Sequence, residues 1–182
     1  MSLLERFSKS EREILVSLPY RVGVLMGDAE DEAGVLDDIQ EGLAHERTLR
    51  HVLEVCQGQA LMTAILEETL CSRAQWPAWA EHSFSVIADA TAARHFLKAQ
   101  VGDAAIRQYR TVLLNVAYAI AEASGEFGES AKDSQGFFPR LIEKMKNNPA
   151  CYGAESMHVA AAEQALILEL SCALADEGEA PS

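Results

Sequence analysis

Basic residues are scarce in this sequence. It has 15 lysines and arginines against 28 aspartates and glutamates, so its formal net charge at pH 7 is −13. A surface with this balance repels phosphate groups, which argues against nucleic acid and the anionic face of a membrane as partners. Cationic partners stay open, among them a basic protein surface, a polyamine or a metal ion.

Glycine and proline are also few, with 11 and 5 residues respectively, and the β-branched runs between turns that are typical of strands are missing. The residues that dominate instead are alanine, leucine and glutamate, which favour helices. A chain of 182 residues with an apolar fraction of 49% can bury a substantial core. The composition therefore predicts one all-α domain.

Several functional signatures are missing as well. The sequence has no Gly-x-Ser-x-Gly, no Walker loop and no Gly-x-Gly-x-x-Gly. Its cysteines are too far apart for a Cys-x-x-Cys pair, which favours free thiols in a reducing cytosol; they are Cys56, Cys71, Cys151 and Cys172. The first residues lack the apolar segment of a signal peptide, so we expect a cytoplasmic protein. The longest apolar run, 159–175, is interrupted by Glu163 and Glu169, which indicates a core helix and not a membrane span.

The spacing of apolar residues predicts a single-domain bundle of about seven or eight helices over residues 1–176, followed by a frayed tail at 177–182. Ser10 and Glu13 have the spacing of a capping box, and Pro19 predicts a kink or a restart in the first helix. Phe84 is expected to face inward from a long fifth helix. The first predicted helix begins near Glu11, and the next four cover about 31–44, 49–56, 61–70 and 78–99. A central helix then begins at Asp103 and is followed by a short helix that ends near residue 147. The last predicted helix, 154–175, crosses the core.

One pattern occurs twice. An apolar helix leads into glycine and a group of acids at Val22–Glu32 and again at Val116–Glu126. If the two halves pack around a pseudo-two-fold axis, the acidic turns approach each other, and their carboxylates repel unless a cation lies between them. The pattern thus favours solvated helix ends, and a divalent-cation site is the alternative that we carry forward as a prediction. The candidate ligands are Asp28, Glu30, Asp31, Glu126 and Glu129.

Two further motifs allow alternatives. Glu155 and His158 form a single Glu-x-x-His, of which di-iron helical bundles use two copies together with further glutamates. Trp76 and Trp79 flank a proline near a helix start, where such a pair serves either as an anchor for a binding partner or as a cap on the core.

The segment Val116–Phe127 resembles the signature of the TerB-like tellurite-resistance family, in which an alanine-rich helix ends in an Ala-Asp-Gly-acid turn. Leu18–Asp28 looks like a diverged copy, and Ser124 stands where the family usually has aspartate. The resemblance implies a compact pseudo-symmetric helical bundle. It also implies a bacterial stress-linked role through protein contacts or metal ions, without an established catalytic activity, and ion binding by the acids of the two turns.

Three functions follow as hypotheses. The leading one is a non-enzymatic cytoplasmic protein that binds a protein partner, with or without a divalent cation. The second is a metal-dependent helical enzyme that uses Glu155 and His158. The third is a structural subunit of a larger assembly, and a homo-oligomer also stays open.

Overall fold

The structure is a computed structural model that describes residues 3–28, 38–127 and 161–175. Within these ranges it has seven α-helices and no strand, which confirms the all-α bundle. The α-helices are α1 (Lys9–Asp28), α2 (Asp38–Val55), α3 (Ala60–Cys71), α4 (Trp76–Ala80), α5 (Val86–Gln100), α6 (Asp103–Phe127) and α7 (Ala161–Ala173). Short 3₁₀ turns lie at Leu3–Arg6, Arg73–Gln75 and Ser83–Ser85.

Helices α1 and α6 form the centre of the bundle. They pack against each other, α1 also contacts α3, α4 and α5, and α6 also contacts α2, α5 and α7. The prediction that the helix beginning at Asp103 is central is therefore confirmed. The last helix was expected to cross the core, but within the described residues α7 packs mainly on α5 and α6 and leaves the side chain of Leu168 63% exposed.

The first helix begins two residues earlier than its sequence suggests. Ser8 and Glu11 form the capping box: the Ser8 amide donates to Glu11 Oε2 at 2.7 Å, and the Glu11 amide donates to Ser8 Oγ at 3.3 Å. The predicted pair, Ser10 and Glu13, has the same spacing but lies inside α1. Two overlapping Ser-x-x-Glu matches compete here, and the box forms at the one where the chain enters the helix.

Pro19 was expected to cause a kink or a restart, and because helix α1 continues through it, the restart is excluded. Proline has no amide hydrogen, which leaves the carbonyl of Leu15, four residues earlier, without its helical donor. The hydroxyl of Tyr109 on α6 donates to that carbonyl at 2.8 Å. Burial raises the pKa of Tyr109 well above its usual value, so the hydroxyl keeps its proton. A hydrogen bond from a neighbouring helix thus replaces the backbone hydrogen bond that Pro19 removes from α1.

The predicted second and third elements form one continuous helix in the described residues, α2. The predicted fifth helix is instead divided into α4, the turn Ser83–Ser85 and α5. Pro77 lies in the first turn of α4, where a missing amide costs nothing. Phe84 was expected to face inward, but the turn places its side chain outside, where it is 80% exposed.

Two glycines mark the ends of helices. Gly58, between α2 and α3, has a φ of +96°, and Gly102, between α5 and α6, has a φ of +110°, both in the left-handed region that favours glycine. Helix α6 then continues through Gly125 to Phe127. The predicted helix ending near residue 147, the start of the last helix and the tail lie outside the described residues. No helix in the described ranges is both long and apolar enough to cross a bilayer.

Candidate functional site

The acids predicted to bind a cation are only partly described. Asp28 ends α1 and is exposed, and the backbone of Glu126 lies in the last turn of α6. The other three candidate ligands, Glu30, Asp31 and Glu129, lie outside the described residues, as do Glu155 and His158 of the alternative metal centre. Among the described side chains, no group of three His, Cys, Asp or Glu residues is arranged to hold a metal ion. The divalent-cation site stays a prediction.

A polar cleft opens between α1 and the segment from α4 to α5. Its volume is about 170 Å³. Three of its residues, Glu13, Ser17 and Arg21, are spaced four apart and form a polar stripe along one face of α1. The complete lining is Glu13, Ile14, Ser17, Arg21, Trp79, His82, Ser85 and Asp89.

The guanidinium of Arg21 links the two walls of this cleft through hydrogen bonds. Its side chain is only 5% exposed, and its Nη2 donates to the His82 carbonyl at 2.6 Å, to Ser85 Oγ at 2.6 Å and to Asp89 Oδ2 at 2.7 Å. Buried arginine needs such partners, because an unpaired charge in the interior is strongly unfavourable. The ion pair therefore ties the middle of α1 to the turn before α5 and to the first turn of α5.

Ser85 also supports this arrangement. It is the N-cap of α5, but its hydroxyl makes no hydrogen bond to the helix amides and donates to Asp89 Oδ2 at 2.9 Å. The Asp89 carboxylate thereby receives two hydrogen bonds on one oxygen. Its second oxygen, Oδ1, takes part in none of the hydrogen bonds of the described residues, and neither does the exposed carboxylate of Glu13. The cleft consequently offers acceptors.

Phe84 lies in the turn next to His82 and Ser85, two residues that line the cleft. It stands between His82 and Ser85 in the chain, and the centroid of its ring is 6.0 Å from that of His82. Of the large apolar side chains in the described ranges it is the most exposed. An exposed aromatic beside a polar cleft is a feature that packing of the core does not explain.

The two tryptophans belong to the core, which is the second of the two interpretations left open by the sequence. Trp76 is 4% and Trp79 7% exposed, and the Trp76 indole donates to the Thr69 carbonyl at 3.0 Å. The ring of Tyr20 stacks on Trp76 with centroids 4.5 Å apart and meets the ring of His45 edge-on at 5.5 Å. These aromatic side chains join α1, α2 and α4.

Sequence reasoning missed both Arg21 and His45. Arg21 stands among apolar residues, directly before Val22 and three residues after Leu18, and a lone charge on an apolar face signals a buried ion pair. His45 lies in a charged stretch, and nothing in that stretch distinguishes it. Its burial depends on a glycine in another helix, Gly23, which only the tertiary structure brings to it.

We expect Gly23→Ala to destabilise the fold and Gly27→Ala, in the same helix, to stabilise it. A Cβ at Gly23 would lie 2.8 Å from Cδ2 of the buried His45 ring, whereas a Cβ at Gly27 meets nothing within 4 Å. Overpacking costs about 1–3 kcal/mol, and alanine in a helix gains up to about 1 kcal/mol over glycine. Urea denaturation of both variants measures the difference, and equal effects would contradict this close approach.

Because of His45, stability should fall as the pH drops below about 6.5. Burial lowers the pKa of this imidazole, while the contact with the Gly23 backbone and the charge of Asp28 raise it by less. Between the lowered pKa of the folded protein and the unfolded value of about 6.5, the unfolded chain binds more protons than the folded one. Stability therefore rises with pH in this window, and the contribution of His45 reaches its full size above it. Comparing the pH dependence of unfolding for the wild type and His45→Gln isolates this contribution, which the variant should lack.

Comparisons of the chain with protein-family models, with curated proteins and with solved structures find no match. The fold and the site together define the class: an all-α bundle with an arginine-centred polar cleft and an exposed aromatic residue in the adjoining turn.

Proposed function

We propose that this protein is a non-enzymatic helical protein that acts by binding a protein partner at the face formed by the cleft and Phe84. The observation that carries the proposal is the 80% exposure of Phe84 beside that cleft. Aromatic residues are enriched among the side chains that dominate the energy of protein interfaces. An exposed phenylalanine in a turn that is anchored by Arg21 is already held in position before a partner binds.

The resemblance to TerB-like proteins supports the same class of function, a stress-linked role through protein contacts. We propose in addition that the acids of the two repeated segments bind a divalent cation. A cytoplasmic location is also proposed, since the three described cysteines, Cys56, Cys71 and Cys172, are free thiols. Calorimetric titration of the full chain with Ca²⁺, Mg²⁺, Mn²⁺ and Zn²⁺ tests whether a divalent cation binds. The absence of binding heat with all four ions would contradict the proposed cation site.

Photo-crosslinking in the cell tests the partner. A benzoylphenylalanine at position 84 should form one discrete crosslinked species, which mass spectrometry identifies. The same probe at Val101 is the control, because this residue is 46% exposed but follows the opposite end of α5, roughly 22 Å along that helix. Binding of the identified partner, purified, should then weaken with Phe84→Ala.

Phe84→Ala is expected to leave the free energy of unfolding within about 0.5 kcal/mol of the wild type, since the side chain is at the surface. A loss of binding at unchanged stability supports the proposal. Equal crosslinking from positions 84 and 101, or none from 84, contradicts it, and a covalent dimer of this chain would show that the contact is with a second copy.

A further inference from the structure

We propose that the cleft receives a basic side chain, lysine or arginine, of the partner, while Phe84 contacts an apolar residue beside it. This inference rests on the proposed function and names the chemistry of the partner. The juxtaposition that carries it is a cleft lined by two carboxylates, one arginine that is already paired and one histidine, with an exposed aromatic residue two positions after that histidine.

The charge of the cleft favours a cation. Arg21 is paired with Asp89 and donates from Nη2 to three acceptors, so its charge is compensated within the protein. Glu13 is exposed and forms no ion pair within the described residues, which leaves the cleft with one uncompensated negative charge. A lysine or arginine entering it would neutralise that charge, and the net charge of −13 on the whole chain attracts such a partner from a distance.

The hydrogen-bonding groups that remain point to the same class of ligand. Oδ1 of Asp89 and the carboxylate of Glu13, which are both acceptors, form no hydrogen bond within the described residues. The ring nitrogens of His82 and Trp79, which also line the cleft, form none there either. Within the described residues the Nε of Arg21 has no partner, but this atom is buried and does not present its hydrogen at the accessible surface. A donor-rich ammonium or guanidinium group complements such a lining, whereas an anion would meet two carboxylates.

The size and the walls of the cleft suit a side chain. Its volume of about 170 Å³ is below the roughly 300–1,000 Å³ of pockets that enclose drug-sized ligands. Trp79 and Ile14 supply apolar wall for the methylene groups of a long basic side chain.

The test uses the full-length protein and small probes with one charged group. N-acetyl-lysine methylamide and its arginine counterpart carry the basic side chains, and the lysine compound acetylated on its side-chain nitrogen is the uncharged control. The readout is the indole NMR signal of Trp79, which lines the cleft, with the core Trp76 as internal reference. A saturable shift of Trp79 with either basic probe, and none with the uncharged one, is expected.

Two charge variants locate the site. Glu13→Gln should weaken binding of the basic probe about threefold, the size typical of a partly exposed ion pair. Glu67→Gln removes the same charge from an exposed position on α3, outside the lining of the cleft, and should leave binding unchanged. Both variants alter surface residues, so both are expected to fold.

The outcomes separate the two proposals. If neither basic probe shifts Trp79, or if the uncharged probe shifts it equally, the inference about the cleft is wrong even when crosslinking at position 84 succeeds. If a basic probe binds but position 84 crosslinks to nothing, the proposed function is wrong, and with it the assignment of the basic group to a protein partner.

Discussion

Replacing Asp89 with alanine is expected to lower the free energy of unfolding by about 2–4 kcal/mol. The change leaves Arg21, whose side chain is 5% exposed, with its charge uncompensated between α1 and the turn before α5. The expected loss is near the lower end of the range for broken buried pairs because the Asp89 side chain is 26% exposed and water can reach the arginine after the change. Denaturation in urea at neutral pH measures it.

Two comparisons show that the loss comes from the buried arginine. Glu54→Ala removes a carboxylate that is 60% exposed and lies 3.6 Å from His51, and it should cost less than about 1 kcal/mol. The double variant Arg21→Met and Asp89→Leu removes both charges and should be more stable than Asp89→Ala alone. If Asp89→Ala costs no more than Glu54→Ala, the pair does not hold α1 to α5 as described.

Replacing Tyr109 with phenylalanine is expected to cost about 1–3 kcal/mol. The ring keeps its place in the core, but the Leu15 carbonyl loses the hydroxyl that replaces the missing amide of Pro19. Because this carbonyl belongs to the buried middle of α1, the expected loss is that of an unsatisfied acceptor and not that of an average hydrogen bond. Urea denaturation again supplies the measurement.

The Pro19→Ala background provides the control, because alanine restores an amide hydrogen at position 19 that can bond to the Leu15 carbonyl. In that background the cost of Tyr109→Phe should fall by about 1 kcal/mol, a coupling that a double-mutant cycle detects. The same cost in both backgrounds would mean that the hydroxyl and the proline do not compensate each other.

The sequence predicts the helical class well because its signals are local. Periodic apolar residues indicate the helices, and Gly58 and Gly102 end them through backbone conformations that other residues adopt at a cost. Local signals also explain the errors. Ser8 and Ser10 both fit a capping box, and Phe84 fits an apolar helical face until the chain is interrupted at Ser83–Ser85.

The candidate site was not predictable in the same way. The sequence placed functional residues at the acidic turns, of which the structure describes only Asp28 in full. The cleft instead combines Arg21 with Asp89, 68 residues further along the chain. A pairing over that distance has no periodic signal in the sequence, and the single local indication was a charged residue within an apolar stretch.

By itself, the sequence determined that the described chain is a bundle of helices with an acidic surface, because propensity, periodicity and net charge are properties of neighbouring residues and of their sum. Only the tertiary structure decided which polar groups meet. Tyr109 reaches the carbonyl that Pro19 leaves open, and His45 fills the space beside Gly23. Both contacts exist because buried polar groups need hydrogen-bond partners and the space between helices must be filled. The order of residues along one helix does not specify which helix will supply them.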